Sequence, residues 1–273
     1  MNKILDERSG WHTLETVTAL FAEALTDRFL AGYAMGSLAR GGFSPLVSDV
    51  DFGLLIRGPL IPEDNLRVEA VRQQAVDSNL PLSERLSIFW GSPNSLAGIE
   101  TGGRFPPFDK LDLLEHARLI DGVDARQGIP RPTARELEVD GIKFALEYLD
   151  TPARMREFEN PALLLDRDRL YLTKTVLYPA RFLYTLDTGH VAGNEASVEH
   201  FVRKNTGPDS ALVKAAYGWR QGDAIAHTTA VELVNTGLIM LYQKFLKAYL
   251  EQMLAYDEKT LADSLRRWLR QLA

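Results

Sequence analysis

The spacing of apolar residues changes along this chain, and the change predicts two domains. In the first part, short apolar runs typical of strands alternate with segments whose apolar residues recur every three or four positions, as on one face of a helix. The segment 91–110, rich in Gly, Pro and Ser, predicts a long loop. The pattern predicts helices over 13–30 and 63–77 and strands over 32–35, 50–56, 84–90 and 113–122.

After Pro130 and Pro132 the apolar pattern is helical throughout. A capping box from Thr133 to Glu136 marks the start of the first of these helices. We therefore expect an α+β fold, with a small α/β domain over residues 1–130 followed by an all-helical bundle over 131–273. Apolar residues at helical spacing predict helices over 133–150, 161–187, 208–220, 224–255 and 258–272.

A pair of aspartates follows a small-residue turn in the first domain. The predicted strand over 32–35 runs into Gly36-Ser37, and eleven residues later Asp49-Val50-Asp51 opens the next strand. Side chains two positions apart on a strand share a face, with Cα atoms roughly 6.5 Å apart, so Asp49 and Asp51 can converge. Two carboxylates beside such a turn are typical of a site where Mg²⁺ holds a triphosphate.

The same spacing occurs again at Asp166 and Asp168, in a segment whose pattern predicts a helix. Positions i and i+2 of a helix point about 200° apart, so we expect this second pair to be a solvated surface. The alternative for Asp49 and Asp51 is likewise a pair of exposed acids at a strand end. The apolar residues 54–56, which continue that strand into a core, and the nearby glycine-serine turn favour a functional site.

The order Gly-Ser, a spacer of about ten residues and Asp-x-Asp resembles the fingerprint of the nucleotidyltransferase superfamily, which includes DNA polymerase beta. With its helical second domain, the chain is most similar to the streptomycin/spectinomycin (aminoglycoside) adenylyltransferases. This resemblance implies a small mixed sheet flanked by helices in the first domain. It also implies an enzyme that transfers a nucleoside monophosphate to a hydroxyl of a small molecule. The transferred group is AMP from ATP, or the equivalent group from another NTP. An aminoglycoside-like molecule is a candidate acceptor.

The resemblance also assigns roles to residues of the first domain. Asp49 and Asp51 are expected to ligate one or two Mg²⁺ ions. Ser37 and an amide of the turn, that of Gly36 among them, are expected to hold the β- and γ-phosphates. Arg40 is placed to contact phosphate as well, and a solvated loop arginine fits the pattern equally.

Two basic residues extend this assignment into the helical domain. Arg203 and Lys204 match a position that contacts the triphosphate in the related adenylyltransferases. The alternative is a solvated helix face, where most charged residues of helices lie. In the related enzymes, substrates bind between the two domains.

A third carboxylate, which the family usually supplies from the next strand, is not at its expected position. A gapless match places Arg85 there, and Glu84 serves only if the strand carries a bulge or slip. Otherwise Glu84 is a polar strand start, and an alternative function follows: a catalytically weakened nucleotide-binding regulatory or antitoxin-like protein of the same fold. Other acids that could complete the site are Glu100, Asp109 and Asp112.

Composition narrows the class of protein. The chain has 273 residues, 45% of them apolar and 25% charged, which is ordinary for a globular protein. No apolar run is long enough to cross a membrane. The residues after Lys3 lack the long apolar segment of a signal peptide, so we expect none. A net charge of −6 argues against broad nucleic-acid binding, and the absence of cysteine fits a cytoplasmic protein and excludes thiolate chemistry.

Overall fold

The computed structural model describes residues 5–272, which form two compact units that divide between Pro132 and Thr133. The first unit contains both strands and helices, and the second is helical. Together they confirm the expected α+β class. Within the described residues, no helix is long and apolar enough to span a bilayer.

A four-stranded mixed sheet forms the centre of the first unit. Its strands are β1 (Phe29–Ala34), β2 (Val50–Ile56), β3 (Leu86–Gly91) and β4 (Arg118–Gly122), in the order β3-β2-β1-β4. Strand β1 pairs antiparallel with both β2 and β4, whereas β2 and β3 are parallel, with Asp51 opposite Ser87. The parallel pair requires a crossover, which a helix between them provides.

Helices cover both faces of this sheet, because alternate residues of β2 point to opposite sides. Phe52 and Leu54 join an apolar cluster with residues of the first and third helices, and Leu55 joins a second cluster with Leu113 of the fifth helix. Asp51 therefore points to the side of the fifth helix. The helices are α1 (Glu7–Leu25), α2 (Gly36–Arg40), α3 (Pro62–Asp77), α4 (Pro93–Leu96) and α5 (Pro107–Glu115).

The largest difference from the predicted elements is α5, which replaces the end of the expected loop and the start of the expected last strand. The pair Pro106-Pro107 starts this helix, because proline at the first helical position lacks only an N–H that would be unpaired there anyway. The last strand is therefore shorter and begins at Arg118. Strand β3 begins at Leu86, and Glu84 and Arg85 belong to a 3-10 turn before it.

A polar cluster ties the end of α5 to the sheet. The Tyr33 hydroxyl of β1 donates to Asp124 Oδ1 at 3.1 Å, and Arg126 binds both oxygens of the same carboxylate at 2.8 and 2.6 Å. Arg126 also donates to the carbonyl oxygens of Leu113 and Ala117 at 3.1 and 2.9 Å. These contacts fix the helix on the sheet face to which Asp51 points.

Over residues 133–272, the second unit is built from seven α-helices and one 3-10 helix. The predicted helix over 161–187 is divided, because Asp166 ends a 3-10 turn and Asp168 caps the following helix by accepting from the Tyr171 N–H at 2.8 Å. The prediction of one continuous helix through both aspartates was wrong, because Asp166 ends a 3-10 helix and Asp168 precedes α8. Both residues are exposed, as expected for a solvated pair. The helices are α6 (Ala134–Tyr148), α7 (Pro152–Glu159), α8 (Arg169–Thr188), α9 (Asn194–Lys204), α10 (Pro208–Gln221), α11 (His227–Ala255) and α12 (Lys259–Gln271).

The Asp124 cluster predicts a pH dependence of stability. The hydrogen bonds from Arg126 lower the pKa of the Asp124 carboxyl from its ordinary value of 3.8 to about 2. Between these values the unfolded chain binds more protons at this position than the folded chain, so its contribution to stability is lost as pH falls from about 4 to 2. Asp124→Asn should therefore lose less unfolding free energy over this range than the wild type, measured by urea denaturation.

Asp77→Asn provides the control, because this exposed carboxylate accepts from the neutral amide of Gln73 rather than from an arginine. Between about pH 4 and pH 2, Asp77→Asn should lose as much unfolding free energy as the wild type. Equal losses in wild-type protein and Asp124→Asn would contradict the role given to the cluster.

Candidate functional site

Gly36 and Asp51 lie in direct contact where β1 leads into α2. Gly36 has a φ of +61°, and a Cβ at this position would overlap Oδ2 of Asp51. The backbone of Asp51 also accepts a hydrogen bond from the Met35 N–H at 3.0 Å. The carboxylate of Asp51 is therefore held against the glycine-serine turn, and only glycine permits this approach.

Asp49 lies one residue before β2 and is half-buried. The chain reaches it through a turn in which the Ser48 N–H donates to the Ser44 carbonyl at 2.8 Å. Arg85, in the 3-10 turn just before β3, binds this turn by donating to the carbonyl oxygens of Pro45 at 2.7 Å and Ser48 at 3.2 Å. The arginine at the position expected for an acid thus holds the segment that carries Asp49.

A third carboxylate lies against the same turn and comes from α5. Asp112 is 5% exposed, and its Oδ2 accepts the Gly36 N–H at 2.8 Å. Its other oxygen forms an ion pair with Arg40, the last residue of α2. The sequence offered Asp112 only as a substitute metal ligand or base and did not reveal these contacts. An acid between Leu111 and Leu113 in an apolar run is the signal for a buried, paired carboxylate.

The structure does not place the other candidate acids on β3. Glu84 is exposed in the 3-10 turn of Ser83–Arg85, so the expectation of a strand beginning at residue 84 was wrong. Glu100 accepts a hydrogen bond from the Ser92 hydroxyl. The residue opposite Asp51 on β3 is Ser87.

The two basic candidates of the second unit lie at the end of α9, and both are exposed. Lys204 donates to Asp187 at 2.7 Å, and the same carboxylate oxygen lies 2.8 Å from Nε2 of His200. Arg203 approaches Nδ1 of His200 at 3.4 Å. These pairs form a cluster of mixed charge on the surface of the second unit.

The donor set around the turn fits Mg²⁺. Asp49 and Asp51 carry hard carboxylate oxygens of the kind that the ion prefers, and the Asp51 carboxylate lies against Gly36, the residue before Ser37. Among residues 5–272, no group of three or more His, Cys, Asp or Glu side chains is arranged to bind a metal ion. Proteins commonly bind Mg²⁺ through one or two carboxylates, with water and substrate phosphate supplying the remaining ligands.

The contacts of Arg85 predict a local effect on the segment before Asp49. Arg85→Gln removes charge-assisted hydrogen bonds to two carbonyls, each contributing about 1.5–3 kcal/mol. Amide hydrogen exchange over residues 44–50 should become at least about tenfold faster. Arg72→Gln, at a half-exposed arginine of α3, should leave it unchanged. Equal exchange in both variants would show that Arg85 does not hold the turn.

Comparison with known proteins identifies the fold. No protein-family model matches the sequence. None of the curated proteins compared with it matches either. Among solved structures, the chain is similar to spectinomycin adenyltransferase AAD(9) from Enterococcus faecialis, crystallised with ATP and spectinomycin, with a TM-score of 0.58 and 13% identity. The similarity covers 82% of this chain and 97% of the other. The predicted nucleotidyltransferase-like fold is thereby confirmed.

Proposed function

We propose that this protein is an Mg²⁺-dependent nucleotidyltransferase that transfers AMP from ATP to a hydroxyl group of a small molecule. The observation that carries the proposal is the Asp51 carboxylate packed against Gly36, immediately before Ser37. The similar fold of an adenyltransferase crystallised with ATP supports the choice of nucleotide. That protein was crystallised with spectinomycin as well, which supports an aminoglycoside-like acceptor.

In this reaction an acceptor oxygen forms a bond to the α-phosphorus of ATP, and the bond from that phosphorus to the pyrophosphate oxygen breaks. The hydroxyl proton passes to a base, and pyrophosphate leaves. Such transfers depend on positioning and charge neutralisation more than on covalent chemistry by the protein. Bound Mg²⁺ would supply charge neutralisation at the phosphates.

The residues of the first unit divide this work. Asp49 and Asp51 hold one or two Mg²⁺ ions, and Ser37 donates its hydroxyl to the β- or γ-phosphate. The Gly36 N–H already donates to Asp112 and is not needed for the phosphates. The turn therefore contributes to phosphate binding through its backbone shape and through the Ser37 side chain. Arg40 binds phosphate with N–H groups that Asp112 does not use, since a guanidinium has five donors. Glu84, the base expected from the sequence, is exposed in the 3-10 turn before β3, and the regular pairing of β2 with β3 has no bulge to carry it toward Asp51, so the base is not assigned to it.

The proposed substrates, an NTP and a small hydroxylated acceptor, fit a protein that acts in the cytoplasm.

A second candidate function is nucleotide binding with little or no transfer, as in a regulatory or antitoxin-like protein. Arg85 favours it, because this residue binds the carbonyls of Pro45 and Ser48 where the related enzymes carry an acid. Such a protein would keep the Mg²⁺ and phosphate contacts and lack an efficient base.

Replacement of the paired aspartates tests the principal proposal. Asp49→Asn and Asp51→Asn each remove a charged Mg²⁺ ligand, so pyrophosphate release with ATP and an acceptor panel should fall at least about 100-fold, equivalent to about 2.7 kcal/mol of transition-state stabilisation. Asp166→Asn, an exposed member of the other Asp-x-Asp pair, should retain wild-type activity.

Pyrophosphate release that survives both substitutions at the aspartates would contradict the proposal. Calorimetric binding of Mg-ATP by the wild type, with no turnover on any acceptor, would instead favour the second candidate function.

The close approach at Gly36 makes a separate prediction about nucleotide affinity. Gly36→Ala introduces a Cβ against the Asp51 carboxylate, so the affinity for Mg-ATP should fall at least about tenfold, because the ligand must then reorder a displaced turn. Binding is measured by calorimetry on folded protein.

Gly42→Ala separates this clash from backbone strain. Gly42 also has a positive φ, +79°, but nothing lies within 4 Å of its Cβ position. The control should lose some stability and bind Mg-ATP within about threefold of wild type. Equal affinity losses in the two variants would show that the contact between Gly36 and Asp51 has no special role.

A further inference from the structure

Asp112 is a buried acid that the proposed transfer reaction does not use. It lies on α5 with 5% of its surface exposed, between the fully buried residues Leu111 and Leu113. A carboxylate in such a place carries a large desolvation penalty unless it is paired and hydrogen-bonded. Its partners therefore indicate its role.

Both partners belong to α2, the short helix that begins at the glycine-serine turn. The Gly36 N–H donates to one carboxylate oxygen at 2.8 Å, and the Arg40 guanidinium pairs with the other. These are the first and last residues of α2. One side chain thus fixes both ends of the segment proposed to receive the triphosphate.

The helix that carries Asp112 is itself firmly held. Leu113 packs with Tyr33 and Leu55 on the sheet, and its carbonyl accepts from Arg126 at 3.1 Å. The position of the Asp112 carboxylate beside α2 is therefore fixed by the packing of α5.

We infer that Asp112 is a positioning residue for nucleotide binding, which holds Gly36, Ser37 and Arg40 in the arrangement that receives the triphosphate. The inference rests on the proposed function and adds a residue that the sequence fingerprint does not contain. Asp112 acts through the turn and does not itself contact the nucleotide.

This role predicts a particular division of kinetic effects. A turn that is already ordered binds its ligand without a further loss of conformational freedom, whereas a loosened turn must be ordered by the ligand. Loss of Asp112 should therefore weaken Mg-ATP binding and leave kcat at saturating ATP nearly unchanged. Loss of a metal ligand or base would lower kcat instead.

The test uses Asp112→Asn, which keeps the size of the side chain and one acceptor but removes the charge. We expect the Kd and KM for Mg-ATP to rise at least about tenfold, with kcat within about threefold of wild type. Calorimetry gives the Kd, and pyrophosphate release at saturating acceptor gives the kinetic constants. Asp77→Asn, the same chemical change at an exposed site, should alter none of these values.

A second pair of variants controls for misfolding, because Asp112→Asn leaves the largely buried Arg40 guanidinium without its counter-charge. The double variant Asp112→Asn/Arg40→Gln removes both charges, and comparison with Arg40→Gln alone isolates the contribution of Asp112. We expect the double variant to bind Mg-ATP at least about threefold more weakly than Arg40→Gln. Thermal denaturation confirms that each protein compared is folded.

Three results would overturn the inference. One is an unchanged affinity for Mg-ATP, either in folded Asp112→Asn relative to wild type or in the double variant relative to Arg40→Gln, which would show that Asp112 has only a structural role. A kcat at least about 100-fold lower with unchanged affinity would make Asp112 a catalytic residue. Failure of the wild type to bind Mg-ATP would overturn the proposed function together with this role, and the wild-type titration alone identifies that case.

Discussion

The close approach of two carboxylates to Gly36 is the constraint on which the candidate site depends. Asp51 lies where a Cβ of residue 36 would be, and Asp112 accepts the N–H of the same glycine. One residue is therefore packed between an acid from the sheet and an acid from a helix. Neither contact tolerates a displaced turn, since the first is steric and the second leaves a buried charge if it is lost.

The sheet makes this arrangement possible through the alternation of β2. Phe52 and Leu54 bury one face against α1 and α3, which leaves Asp51 and Leu55 facing α5. The apolar residues thus determine the register, and a shift of one residue would turn Asp51 into the core. Packing and site chemistry are consequently specified by the same strand.

Local patterns predicted the elements whose residues are close together in sequence. Strand β2 was predicted with its observed bounds, 50–56, because its apolar run is bounded by the acids and by Arg57-Gly58-Pro59. The fold class was predicted as well, since helical spacing after residue 130 is consistent over several helices.

The contacts that single-sequence patterns could not predict join distant segments. Asp112 lies 76 residues from Gly36, and α5 was hidden because its glycine- and proline-rich approach is typical of a loop. In the sequence, Arg85 stands where the family fingerprint has an acid, and only the structure shows that its side chain binds the turn before Asp49. Spacing along the chain describes neither contact.

The most direct test of the account is a crystal structure of the wild-type protein with Mn²⁺ in place of Mg²⁺ and a non-hydrolysable ATP analogue. The account predicts an anomalous peak bound by oxygens of Asp49 and Asp51, with the β- or γ-phosphate within hydrogen-bond distance of the Ser37 hydroxyl. A metal peak elsewhere, or a triphosphate bound away from the Gly36-Ser37 turn, would contradict it.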